Sequence, residues 1–236
     1  MQKKDNKIKF ECFIPELIDQ NIVSKISLKD FKWHEKARKY YKKNNSLSHI
    51  SKCPGIIKIL NSGWVQKAYQ DIKIETNGDR ISYKVQMSFD QSQLLSNALG
   101  HYIHIHDEKD YTWFNEAHEA TMKTIIKVQS PWVVFIPHGY GLFQTSVPHS
   151  DYNFFSAASG ILTESPMWMN IQLFWHNIKG QKIIKKGTPL CYYQLIKLEN
   201  IDESYEVIKS ETINQLNQHA IKSNQKAEYI FRRKND

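Results

Sequence analysis

From Ser130 to Leu198 the chain is a succession of short apolar segments separated by Gly and Pro: SPWVVFIPHGYGLF, then SGILTES, then NIQLFWHN, then KIIKKGTPLCYYQLIKL. Each segment is too short to bury the face of a helix, and each is bounded by residues that end strands. Such a stretch has one economical solution, a compact all-β unit whose strands are buried on at least one side. Within it, Trp132–Ile136, Leu142–Ser146, Ser159–Leu162, Asn170–Asn177 and Leu190–Leu198 predict strands, and Lys182–Gly187 predicts a polar turn before the last of them.

Upstream the same grammar continues. Lys7–Ile14 alternates and predicts a strand stopped by Pro15, and Thr121–Gln129 alternates likewise. Trp64–Tyr69, Asp71–Thr76 and Arg80–Phe89 predict three strands. The Asn77–Gly78 pair between the last two predicts a tight hairpin, whose central residues both need positive φ. Ile56–Asn61 predicts a short helix ending near Gly63, and His101–Ile105 a short strand. Leu28–Lys43 (LKDFKWHEKARKYYKK) predicts a basic, aromatic helix or an irregular arm, since Phe31, Trp33, Tyr40 and Tyr41 do not share one clean stripe. From Asp202 to Lys222 the spacing of Tyr205, Ile208, Ile213, Leu216 and Ala220 predicts an amphipathic helix. The expected fold is therefore mainly β, a β sandwich or distorted barrel over residues 52–200. A basic N-terminal strand and arm (1–51) precedes it, and a C-terminal amphipathic helix and tail (201–236) follows.

Charge is distributed unevenly. The net charge is +8, yet residues 1–74 carry 16 Lys/Arg against 7 Asp/Glu, while residues 75–199 carry 10 against 11 and residues 200–236 carry 6 against 6. The whole excess sits in the first third, where it can steer the chain toward nucleic acid, an acidic partner or a membrane surface. The plainer explanation is a solvated, lysine-rich face. Three widely spaced cysteines, Cys12, Cys53 and Cys191, make neither a disulfide framework nor a zinc knuckle, which suits a reducing compartment. No apolar segment follows the opening MQKKDNK, and none approaches a membrane span, so no signal peptide and no membrane anchor are expected.

Several short strings carry a resemblance. KCPG at Lys52–Gly55 leads into an apolar helix, NSGW and DIKIE. PW at Pro131–Trp132, PHGYGLF at Pro137–Phe143, SGIL at Ser159–Leu162 and KKGTPL at Lys185–Leu190 follow. Over roughly residues 25–200 the chain resembles a family of uncharacterised proteins of tailed marine bacteriophages. That resemblance brings no activity with it. More distantly, the chain resembles the dUTP pyrophosphatase-like β fold. Pro137, Gly139 and Tyr140 match its P-x-G-Y strand, Gly160–Ile161 begins its G-[IV]-x-D segment, Asn177 ends a strand, and Ile184, Gly187 and Tyr192–Gln194 echo its closing element. The catalytic positions differ: Thr163–Glu164 and Met167–Trp168 stand where that fold has its water-activating Asp and its stacking Tyr. The Ser cluster is reduced to Ser146 before Val147 and Pro148. The fold analogy therefore outruns the chemistry.

Four constellations bear on chemistry. In GHYIHIHD (Gly100–Asp107), His104 and His106 lie on one side of a strand, about 7 Å apart, and two such imidazoles can share an iron or zinc ion. His149 is the chosen third ligand, with His118 and His138 as alternatives and Asp107 as a second-shell acceptor. His149-Ser150-Asp151 also has the H-x-D spacing of non-haem iron oxygenases. However, His176 follows closely for the distal ligand, and no Arg lies between Arg80 and Arg232 to hold a co-substrate carboxylate. Tyr140, Ser146 and Glu164 form the candidate pocket of a diverged nucleotide-processing enzyme. Lys29, Lys32, Trp33, Arg38, Lys39 and Tyr40 form a candidate nucleic-acid surface, with cations for phosphates and rings for bases. Against each stands a bland alternative: water-facing histidines, a loop after Pro148, a tight turn at Gly139–Gly141, and an arm packing its rings on the core.

The function expected from these residues is that of a phage-encoded accessory or structural protein acting by binding, without a cofactor, in the cytoplasm of an infected cell or in the particle. Its expected partners are a second copy of itself, another phage or host protein, or nucleic acid. The rival is an enzyme, either metal-dependent or nucleotide-processing.

Overall fold

The computed structural model describes residues 7–12, 14–44, 50, 53–87, 103–105 and 119–198. In chain order its elements are β1 (Lys9–Cys12), β2 (Val23–Lys25), α1 (Lys32–Asn44), α2 (Pro54–Ser62), β3 (Trp64–Lys67), β4 (Ile72–Asn77), β5 (Tyr83–Met87), β6 (Ile103–Ile105), β7 (Ile126–Val128), β8 (Trp132–Phe135), β9 (Tyr140–Thr145), β10 (Phe155–Ala157), β11 (Gly160–Leu162), β12 (Met167–Trp168), β13 (Ile171–Trp175), β14 (Lys179–Ile184) and β15 (Pro189–Lys197). Short 3-10 turns occupy Pro15–Leu17 and Leu28–Asp30. The expected C-terminal helix at residues 202–222 lies outside the described residues.

The fold is mainly β, as the strand pattern predicts. The strands form four antiparallel sheets, ordered β1-β8-β12, β10-β13-β7-β6, β11-β9-β15-β3-β2 and β14-β4-β5. Among the described residues none closes on itself, so the sandwich-like arrangement holds and the distorted barrel does not. All four sheets face one core, built from the inward residues of alternating strands: Ile72 and Ile74 of β4, Val134 of β8, Leu142 of β9, Ile171, Leu173 and Trp175 of β13, and Cys191 and Tyr193 of β15. At about 25 cal/mol per Å² of apolar surface removed from water, this interior is the main source of stability. Trp175 stacks on Phe155 at 6.5 Å between ring centroids and meets Phe154 edge-on at 5.4 Å, which ties β13 to β10.

The five-stranded sheet also buries part of its other face. Val65 of β3 and Tyr192 of β15 alternate away from the main core and meet Ile26, Phe31, Leu60 and Val147 in a second, smaller one. Leu28, Trp33, Ile56 and Ile59 pack against it, so both helices are seated on the outside of this sheet. Pro54 opens α2 at its first turn, where a missing N–H costs nothing, and Tyr192 anchors its end by donating a hydrogen bond from its hydroxyl to Ile59 O at 2.8 Å. Gly63 follows α2 because nothing larger fits. A Cβ there would collide with the Tyr192 ring and the Tyr193 carbonyl oxygen.

Two local expectations are corrected, and a third is settled between its alternatives. Residues 182–184 belong to β14, which pairs with β4 from Lys179↔Asn77 to Ile184↔Ile72, and the turn is confined to the residues after it. This strand is exposed except at Ile184, so it carries no hydrophobic alternation; backbone pairing to β4 makes it. Thr76 Oγ1 fixes its start by donating to Asn177 O at 2.7 Å. The β4–β5 hairpin exists, but not as a two-residue turn. The last pair is Thr76↔Tyr83, and the positive φ angles fall on Gly78 (99°) and Arg80 (66°). Asp79 builds that longer loop: its carboxylate accepts hydrogen bonds from the Ser82 hydroxyl and from the N–H groups of Ser82 (2.7 Å) and Ile81 (2.8 Å), which hold its pKa well below the usual carboxylate range. Of the two readings of Leu28–Lys43, the helix holds: α1 (Lys32–Asn44) follows the 3-10 turn at Leu28–Asp30.

Candidate functional site

Helix α1 has the sequence KWHEKARKYYKKN, with six basic residues against one acidic residue. At about 100° per residue its positions sort into two faces. Trp33, Ala37 and Tyr41 recur at i, i+4 and i+8 and are half-buried, with His34 beside them. Lys32, Lys36, Lys39 and Lys43 recur at i, i+4, i+7 and i+11 and are all exposed. Lys42 and Arg38 flank this stripe on one side. Tyr40, 60% exposed, stands on the other, at i+4 from Lys36 and i−3 from Lys43. The one acidic residue, Glu35, pairs with Lys39 at 2.7 Å; both groups are exposed, so the pair is weak and water-screened.

The helix is held in place at its N-terminus by a residue far along the chain. Asp151 accepts the Lys32 N–H at 2.8 Å on Oδ2 and the Trp33 N–H at 3.4 Å on Oδ1. These are two of the four amides that a helix start leaves without an internal partner, and a carboxylate there also meets the positive end of the helix dipole. The Trp33 ring packs 6.1 Å from Phe31 and 5.9 Å from His149, so the same loop grips the helix through a ring and a carboxylate. His149 reaches that position with φ 55°.

This arrangement redistributes the residues singled out from the sequence. Of the nucleic-acid set, Lys32 and Lys39 lie on the exposed stripe with Tyr40 at its edge, and Arg38 lies on its flank. Lys29 sits on the 3-10 turn, its N–H bonded to Ser27 Oγ at 3.3 Å, and is not part of the stripe. Trp33 is corrected: it packs inward against the second core and does not present a ring for stacking on a base. Lys36 and Lys43 complete the stripe and were missed. Helical periodicity of the lysines, rather than of the aromatics, was the signal that could have found them.

Of the other sets, the nucleotide pocket and the H-x-D triad do not assemble, and the histidine set falls largely outside the described residues. His104 is on β6, its side chain is not described, and His106 lies outside the described residues. His149 is exposed on the loop after β9, and among the described residues no three His, Cys, Asp or Glu side chains gather as metal ligands. The H-x-D reading fails on Asp151, whose carboxylate caps α1. His176, the distal candidate, has Nδ1 3.0 Å from Thr121 Oγ1 and Nε2 2.8 Å from Ser156 Oγ, so both ring nitrogens are engaged by hydroxyls. Tyr140, Ser146 and Glu164 do not form a pocket. Leu162 pairs with Leu142 and Gly160 with Gln144, which puts Glu164 near the Tyr140 end of β9. Ser146 lies beyond the opposite end, about 20 Å away at roughly 3.4 Å per residue. Its hydroxyl bridges to β10 instead, accepting the Ala157 N–H at 2.9 Å and donating to Ala157 O at 3.0 Å. A cleft of about 510 Å³ along β1, lined by Lys9, Phe10, Glu11, Cys12, Ile18, Trp132 and Phe135, holds none of these candidates.

Cys191 is fully buried in the core, where burial pushes its thiol up to about 12; Cys53 is exposed at the start of α2. No described helix is long and apolar enough to cross a membrane. No protein-family model matches this chain, and no curated protein matches it.

Proposed function

We propose that this chain is a phage-encoded accessory protein that acts by binding, and that the exposed lysine face of α1 is the surface with which it contacts nucleic acid. The observation that carries the reading is the combination of a four-lysine stripe with a built mounting. Lys32, Lys36, Lys39 and Lys43 are exposed on one side, while Asp151, Trp33 and the second core fix the other. Cations that this mounting holds in register avoid part of the ordering cost of binding phosphates. The phage assignment rests on the KCPG, PHGYGLF and KKGTPL strings.

The test is fluorescence anisotropy with labelled DNA at low salt. The wild type binds, and Lys36→Glu/Lys43→Glu does not, although the fold is unchanged by circular dichroism. Equal binding by both proteins removes α1 from the reading. Mass spectrometry of purified particles then separates a virion component from a protein confined to the infected cell.

A second reading, self-association, is favoured by one feature. Among the described residues strand β11 is an edge of the five-stranded sheet, and its Ile161, 51% exposed, and Leu198, 42% exposed, both lie over Gly141. Light scattering on the wild type and on Ile161→Glu decides it: a dimer that the substitution dissociates supports self-association through this edge, and a monomeric wild type excludes it.

A further inference from the structure

Resting on the nucleic-acid reading of α1, we infer that its ligand is a single strand, with Tyr40 stacking on a base while Lys36 and Lys43 hold the flanking phosphates. Along the helix axis Tyr40 lies between those two lysines, about one turn from each, at the edge of the stripe, and it is 60% exposed. At about 1.5 Å rise per residue the stripe from Lys32 to Lys43 is about 16 Å long, enough to follow several nucleotides of backbone.

The chemistry of the face selects the ligand. Lysine is a point charge suited to phosphate, whereas reading a base edge in a groove takes Arg, Asn or Gln with paired donors and acceptors. No such residue lies on the stripe. Arg38 is about 160° around the helix from Lys36, and Asn44 donates its Nδ2–H to Tyr40 O at 2.9 Å. An aromatic ring beside phosphate-binding cations gains most from an unpaired base, whose π face only a single strand offers.

The experiment uses the full chain and two fluorescein-labelled probes, an oligothymidine of about 20 nucleotides and a duplex of the same length, both longer than one binding site. The wild type binds the single strand more tightly than the duplex. Tyr40→Ala weakens the single strand about tenfold and leaves the duplex unchanged, whereas Tyr40→Phe, which keeps the ring, retains wild-type affinity. Equal affinity for the two probes together with no effect of Tyr40→Ala overturns the single-strand inference and leaves nucleic-acid binding standing. Binding to neither probe at low salt overturns the underlying reading of α1.

Discussion

Asp151→Ala tests how the basic helix is mounted. The carboxylate satisfies two amides at the start of α1, one well at 2.8 Å and one at the limit of hydrogen bonding at 3.4 Å. Losing a capping side chain costs about 1 kcal/mol, and losing a negative charge at an exposed helix start costs about 0.5 kcal/mol more. The sum, about 1.5 kcal/mol, corresponds to a fall in Tm of roughly 3–6 °C for a domain of this size. Asp151→Asn keeps the acceptor and loses only the charge, so it costs about 0.5 kcal/mol. The assay is urea denaturation of the three proteins, joined to hydrogen exchange on peptides from residues 32–44. Protection in that helix falls in Asp151→Ala, while the strands of the core keep theirs at times short of global unfolding. Because the stripe loses its mounting, DNA affinity falls too, though no residue on the stripe has changed. An Asp151→Ala protein with wild-type stability and unaltered exchange in residues 32–44 refutes the capping argument.

Other substitutions address the core and its titrating groups. Gly63→Ala is expected to cost about 3 kcal/mol by denaturant titration, since the added methyl collides with the Tyr192 ring and a backbone oxygen that cannot swing away. Gln66→Leu is expected to cost about 2–3 kcal/mol. The Gln66 amide donates to Ser130 Oγ at 2.9 Å and accepts from the Tyr193 hydroxyl at 3.3 Å, and both partners are buried. Alkaline pH is expected to weaken the fold. Burial raises the Cys191 thiol from 9.0 to about 12 and raises Tyr83 and Tyr193 above 10.0, so these groups hold protons in the folded chain that the unfolded chain releases. Their contribution is fully present below pH 9, and the urea midpoint falls as pH rises from about 9 toward 12. For the same reason a thiol reagent at mild pH modifies exposed Cys53 and spares Cys191 until the chain unfolds.

The strands that the sequence announced are those whose side chains alternate between core and solvent. Ile171–Trp175 reads buried at every second residue, and the structure puts Ile171, Leu173 and Trp175 in the core. Strands held mainly by backbone pairing left no such trace. Lys182–Gly187 reads as a polar turn because only Ile184 in it is buried, and Val23–Lys25 and Met167–Trp168 are too short to show a period. The site was legible in part. Charge asymmetry points to the segment that carries the candidate surface, and Lys32, Lys39 and Tyr40 read as part of it, but the stripe emerges only when the lysines, not the rings, are placed on a helix. Phe31 lies just before the helix, Trp33 packs on the second core, Tyr41 is half-buried and Tyr40 is exposed, so no single stripe contains all four. Nor does spacing along the chain reveal that Asp151 caps a helix more than a hundred residues away, because that contact exists only after the sheets have assembled. The H-x-D string looked like a metal motif for want of that information.

The salt dependence of DNA binding probes the lysine stripe most directly. Four lysines on a single strand release counterions that give a slope of log Kobs against log[salt] of about −3. Replacing Lys36 and Lys43 by Gln removes two of those contacts, and the expected slope falls to about −1.5 at unchanged fold. A wild-type chain that fails to bind DNA at low salt, or a double variant whose slope equals that of the wild type, contradicts the assignment of α1 as the nucleic-acid surface.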